Sequence, residues 1–272
     1  MKKIIVSLVV LLTLSFGNTI DEAKAYYEKK DYVSAFNIFE KLASNNDMVA
    51  QNFLGIMYRN GYGVQKDIKQ AVEWYKKAAD QGYANAQSNL GNMYYKGEGV
   101  QKDYKKAVEW YKKAADQGNA NAQTILGNMY YNGEGVQKDI KQAVEWNKKA
   151  ADQGYANAQN FLGNMYETGK GVEKDYKKAV EWYKKAADQG NEGAQFALGG
   201  MYRNGEGVQK DYKQAVEWFK KSANQGNADA QFNLGNMYIY GKGVQKDYKR
   251  AAEWFSLSCN GGFKEACLML KN

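Results

Sequence analysis

The chain has 272 residues, with 38 lysines and arginines against 30 aspartates and glutamates, and it contains neither histidine nor proline. Without histidine, Ser-His-Asp and Cys-His catalysis and histidine-ligated zinc are excluded, and two cysteines cannot make a four-thiolate site. The positive excess is spread along the chain and falls to 36 against 30 without Lys2 and Lys3, which reads as a solvated surface and implies no nucleic-acid partner.

Met1 to Gly17 has the three parts of a secretory signal. Lys2 and Lys3 give a basic start, Ile4 to Leu14 an apolar run, and Ser15 and Gly17 small residues at the cleavage site. The alternative is a buried N-terminal helix. The apolar run is too short to span a bilayer comfortably and no cysteine follows it, so the expectation is an exported chain, periplasmic or secreted, with no stable membrane anchor after cleavage.

Residues 18–47 read as a capping unit. Asp31 precedes Ala35, Phe36, Phe39 and Leu42 at helical spacing, and Asp31 and Ala35 each lie 36 residues before their counterparts Asp67 and Ala71. Six units of 36 residues follow over 48–262, and residues 263–272 read as a C-terminal capping helix. Each unit predicts a first helix, a glycine-rich turn and a second helix. In the first helix Ala86, Leu90, Met93 and Tyr94 share a face, and the recurrence of Gly91 inside it implies close helix approach.

The turn Gly97-Glu98-Gly99-Val100 follows no strand and precedes no Gly-Lys-Ser/Thr, so it reads as a tight connection rather than a phosphate cradle. Asp103 and its counterparts are expected N-caps, and Gly118 a left-handed C-terminal cap. The second helix carries every tryptophan of the chain, Trp74, Trp110, Trp146, Trp182, Trp218 and Trp254, spaced 36 apart. This recurrence predicts structural core. Glu73–Lys77, Glu109–Lys113 and Glu217–Lys221 are spaced for ion pairs along the helix.

The pattern Ala86, Leu90, Gly91, Tyr94, Gly97, Gly99, Val100, Asp103, Ala107, Trp110, Ala114, Ala115 resembles the Sel-like repeat, a relative of the tetratricopeptide repeat, over residues 48–262. The resemblance implies an all-α fold, a right-handed superhelical solenoid of antiparallel helix pairs. First helices would line its concave side, and the function would be that of a protein-interaction scaffold. The spacing of Cys259 and Cys267 is similar to that in the secreted cysteine-rich Sel-like repeat proteins of Helicobacter and relatives, where such a pair forms a disulfide between adjacent units. Export and an even cysteine count favour the same pairing here over free thiols. Some of those proteins are labelled penicillin-binding or β-lactamase. This sequence has no Ser-x-x-Lys: Ser88 is followed by Asn-Leu-Gly and Ser222 by Ala-Asn-Gln.

Core positions repeat between units, while the opposite side of the first helix varies. Offsets of +2, +6 and +9 from the leading alanine fall at about 200°, 240° and 180° around the helix. They place Asn92, Asn128, Asn164 and Asn236 in a ladder flanked by Arg59, Tyr95, Tyr131, Arg203, Phe196 and Phe232. Amides that donate and accept, set among exposed aromatics, predict a groove for a protein or extended peptide partner, with no cofactor, metal or catalytic residue. The alternatives are duplication that copied these residues without function, a β-lactam ligand with binding or weak hydrolysis, and a cell-wall glycan.

Overall fold

The computed structural model describes residues 19–270, so the expected signal segment Met1–Gly17 lies outside the described residues. Regular structure among them is entirely helical, in fifteen helices. The chain divides into two compact units, Met1–Gln101 and Lys102–Asn272. The first holds α1 (Ile20–Glu28), α2 (Tyr32–Ser44), α3 (Met48–Asn60), α4 (Ile68–Asp80) and α5 (Ala84–Lys96). The second begins with α6 (Tyr104–Asp116), α7 (Ala120–Asn132), α8 (Ile140–Asp152), α9 (Ala156–Thr168) and α10 (Tyr176–Asp188). It continues with α11 (Glu192–Asn204), α12 (Tyr212–Asn224), α13 (Ala228–Tyr240), α14 (Tyr248–Asn260) and α15 (Lys264–Met269). Within each unit every helix packs on the next in the chain, the helix-pair packing of a tetratricopeptide-like or Sel1-like solenoid.

The helix ends follow the sequence closely. Asp67, Asp103, Asp139, Asp175, Asp211 and Asp247 each accept a backbone N–H of the first turn through a carboxylate oxygen. First helices stop at a left-handed glycine, such as Gly133 with φ 79° or Gly205 with φ 80°. Gly118, with φ 90°, follows the end of α6.

In each first helix alanine, leucine and methionine are buried, as Ala158, Leu162 and Met165 are in α9. The interior glycine explains why the second helix comes so close. A Cβ on Gly163 would stand 2.5 Å from Cδ1 of Tyr183, and one on Gly199 would stand 2.5 Å from Cδ1 of Phe219.

The tryptophan row is core in part. Trp146 and Trp218 are buried, 7% and 9% exposed, but Trp74, Trp110, Trp182 and Trp254 are only half-buried. The aromatic sealed against the interior glycine is the next residue: Tyr75, Tyr183, Phe219 or Phe255. Tryptophan reaches the edge of the core, where a lysine three residues on covers its ring. The Nζ of Lys77 lies 4.0 Å from the Trp74 ring centre, Lys113 4.0 Å from Trp110, and Lys221 3.9 Å from Trp218. These are the lysines whose spacing predicted ion pairs with Glu73, Glu109 and Glu217, and the cation turns to the ring instead.

A second contact recurs without having been expected. The amide of the glutamine after the leading alanine reaches back eight residues to a carbonyl at the end of the previous helix. Gln123 donates to Ala115 at 3.0 Å, Gln195 to Ala187 at 3.1 Å and Gln231 to Ala223 at 3.0 Å. This satisfies one of the carbonyls that a helix C-terminus leaves unpaired. The glutamine oxygen in turn accepts from a second glutamine, Gln153 on Gln123 and Gln225 on Gln195, both at 2.8 Å.

At the last junction the same two positions hold Cys259 and Cys267, whose sulfurs stand at bonding distance with Cα atoms 4.8 Å apart. A covalent link thus stands where the other junctions use a hydrogen bond. The second glutamine is missing there too. Gly261 occupies its place, and the side-chain oxygen of Gln231 is buried without a partner.

Candidate binding groove

The second unit carries a groove of about 840 Å³ across the outward faces of α7, α9 and α11. The 36-residue period stacks equivalent positions of successive first helices side by side. Asn128 of α7, Asn164 of α9 and Gly200 of α11 therefore follow one another, as do Thr124, Asn160 and Phe196. Tyr183 of α10 rises between α9 and α11 into the same space.

Of the residues expected at a binding surface, Asn128, Asn164, Phe196 and Arg203 line this groove. Tyr131 stands edge-on to Phe161 of the groove wall, ring centres 5.5 Å apart. Asn236 and Phe232 lie on α13 outside the groove, and Phe232 packs 4.8 Å from Phe263 and 5.6 Å from Phe255, so it braces the C-terminal helix. Arg59, Asn92 and Tyr95 belong to the first unit, each partly exposed. Arg59 is committed there to Glu98, with Nη2 at 2.8 Å and Nε at 3.0 Å from the same oxygen.

Among the lining residues that were missed, four are informative. Asn121 and Asn157 form a row one position before the leading alanine, Asn160 belongs to the +2 row, and Tyr183 sits in a row that otherwise reads as pure core. Comparing the −1 row between units would have shown the first two.

Electrostatically the groove contains a part-buried pair. The Tyr183 hydroxyl donates to Oε2 of Glu167 at 2.6 Å. Burial first, and the Glu167 carboxylate second, push the Tyr183 phenol well above its ordinary 10.0, and burial does the same to Tyr75 in the first unit. A raised pKa means that the folded protein holds these protons more tightly. Its contribution is therefore present in full below the unfolded value and is lost as pH climbs above 10.0. Urea unfolding as a function of pH is expected to show stability falling above that point by about 1.4 kcal/mol per pH unit for each such tyrosine. Tyr183→Phe should make the fall shallower by one such increment, and an unchanged slope would contradict the assignment.

Arg203 is the one cation in the groove lining. Its Nη1 donates to Oδ1 of Asn233 on α13, its Nε donates to Oδ1 of Asn204 at 3.2 Å, and its guanidinium lies 5.9 Å from the Phe219 ring centre. Among the described residues no group of three or more His, Cys, Asp or Glu is gathered to hold a metal ion, and no helix is long and apolar enough to cross a membrane.

Consecutive helix pairs, each packed on the next within a unit, define a helical-repeat protein. The family model of the Sel1 repeat matches residues 23–47, 49–83, 84–119, 120–155, 156–191, 193–227 and 228–263, and the chain belongs to the Sel1 repeat family. Its members generally act as protein-interaction scaffolds. The chain is similar to a protective antigen of uropathogenic Escherichia coli strains with an SLR fold, at 40% identity and a TM-score of 0.84, over 92% of this chain. It spans only 54% of that protein's chain. A Sel1 repeat protein from Oxalobacter formigenes is 35% identical with a TM-score of 0.81, covering 89% of this chain and 96% of the other. The Helicobacter pylori cysteine rich protein B is 33% identical with a TM-score of 0.39, over 47% of this chain and 92% of its own. No curated protein matches the sequence.

Proposed function

We propose that this chain is an exported, non-catalytic adaptor that holds an extended segment of a partner protein in the groove of α7, α9 and α11. The observation that carries the reading is the convergence of Asn128, Asn160 and Asn164 with Phe161, Phe196 and Tyr183 in one groove. Each amide can pair with both the N–H and the C=O of a peptide backbone, and the rings give flat apolar anchors. Export is supported by the composition of Met1–Gly17 and by the Cys259–Cys267 pair, which a reducing compartment would keep open. The absence of histidine and of Ser-x-x-Lys supports binding without turnover.

The test places a photo-crosslinking residue at Asn164 or, as a control, at Lys184 of α10, in the full chain expressed in its own cells. A single peptide segment crosslinked from Asn164 and not from Lys184 is expected. Asn128→Ala with Asn164→Ala should weaken binding of that segment about tenfold, the loss of one or two hydrogen bonds. Crosslinking spread equally over both positions, or nitrocefin turnover abolished by the double variant, would overturn the reading.

A further inference from the structure

Gly200 breaks the asparagine ladder at the point where α9 and α11 meet Tyr183. Packing does not require glycine there. A Cβ at Gly200 would meet nothing within 4 Å, whereas one at the neighbouring Gly199 would press on the Phe219 ring. Its backbone is ordinary helix, where glycine weakens the element relative to alanine. The one structural consequence of Gly200 is room within the groove. The same groove is lined by Phe196 and Ala197 of this helix, by Tyr183 of α10 and by Glu167 of α9.

The charge around this room differs from that of the rest of the chain. The helices α7, α9 and α11 contain no lysine, and their charged residues are Glu167, Glu192 and Arg203. The intervening α8, α10 and α12 carry ten lysines between them. Arg203 is turned toward Asn233, and Glu206 adds a second carboxylate to the lining. Glu167 gives one oxygen to Tyr183, which leaves the other to accept a donor from the groove.

We propose that the notch at Gly200 is a socket for one lysine or arginine side chain of the extended partner segment, and this rests on the groove reading above. The aliphatic stem lies along Phe196 and Ala197, and the cationic head pairs with the open oxygen of Glu167. Acidic and short side chains are disfavoured, the first by Glu167 and Glu206 and the second by the space they leave unfilled.

The probe is a phage-displayed library of random twelve-residue peptides, selected on the full chain and remeasured as synthetic peptides by calorimetry. Selected peptides are expected to share a lysine or arginine at one position. Gly200→Leu should weaken them tenfold or more, while circular dichroism and the unfolding midpoint show an intact fold. Glu167→Gln should abolish the preference for lysine over glutamine at that position, and a peptide with that lysine changed to alanine should be indifferent to both substitutions. Peptides that depend on Asn164 but not on Gly200, or that carry an acidic or aromatic residue at the shared position, would overturn the socket while leaving the groove. A library that yields no binder would overturn both.

Discussion

Gly207→Ala is expected to cost about 2–5 kcal/mol, whereas Gly190→Ala costs about 1–2 kcal/mol, although both glycines have left-handed backbones. Gly207 has φ 69° and Gly190 φ 87°, so each alanine carries the penalty of a Cβ in that region. Around Gly190 a Cβ would find nothing within 4 Å. At Gly207 it would fall on the carbonyl of Tyr176, 2.5 Å from the carbonyl carbon. The turn after α11 rests directly on the first residue of α10, which belongs to the preceding repeat, and backbone cannot move aside as a side-chain tip can. The contact recurs where Gly135 meets Tyr104 and Gly243 meets Tyr212. Because each repeat contacts mainly its neighbours, the loss should appear first as faster hydrogen exchange in α10 to α12 and then in the urea midpoint. Equal losses for the two variants would show that conformation alone sets the need for glycine, and that the contact between repeats contributes nothing.

This contact shows where sequence reading stops. Repetition at a fixed interval made the helices, their aspartate caps and their left-handed ends legible, because each depends on residues within one turn of the chain. The glycine of the turn could be read only as permission for positive φ, since its neighbour Tyr176 lies 31 residues earlier. The glutamine contact was hidden for a related reason. A buried glutamine looks like a surface residue until the carbonyl that it serves is located. The groove was legible in part. Variation among repeats pointed to the +6 row, and Asn128 and Asn164 do line a common space. It could not show that Phe232 would be taken up by Phe255 and Phe263, or that Arg59 would be held by Glu98. Those outcomes depend on which side chains of neighbouring elements reach one another, which the period alone does not give.

The tryptophans stand out most in the sequence, yet the larger loss is expected one residue further on. Phe219→Ala should cost about 3–5 kcal/mol, as removal of a fully enclosed ring does, and Trp182→Ala about 1–2 kcal/mol, since that ring is partly exposed at the edge of the core and covered on one side by Lys185. Gly199 supplies a sharper test than the two single variants. Gly199→Ala alone drives a methyl group against the Phe219 ring and should cost about 1–3 kcal/mol through overpacking. With Phe219 already replaced by alanine, the same methyl enters the vacated space, and the better helix propensity of alanine should make it neutral or stabilising by about 1 kcal/mol. The two substitutions should therefore couple by about 2 kcal/mol or more in a double-mutant cycle, whereas Gly199→Ala with Trp182→Ala should be additive. Coupling of Gly199 to Trp182 instead would put the tryptophan row back at the centre of the packing. Coupling to Phe219 places it at the edge, with the interior glycine and the aromatic ring sealed against it setting how closely the two helices of each repeat approach.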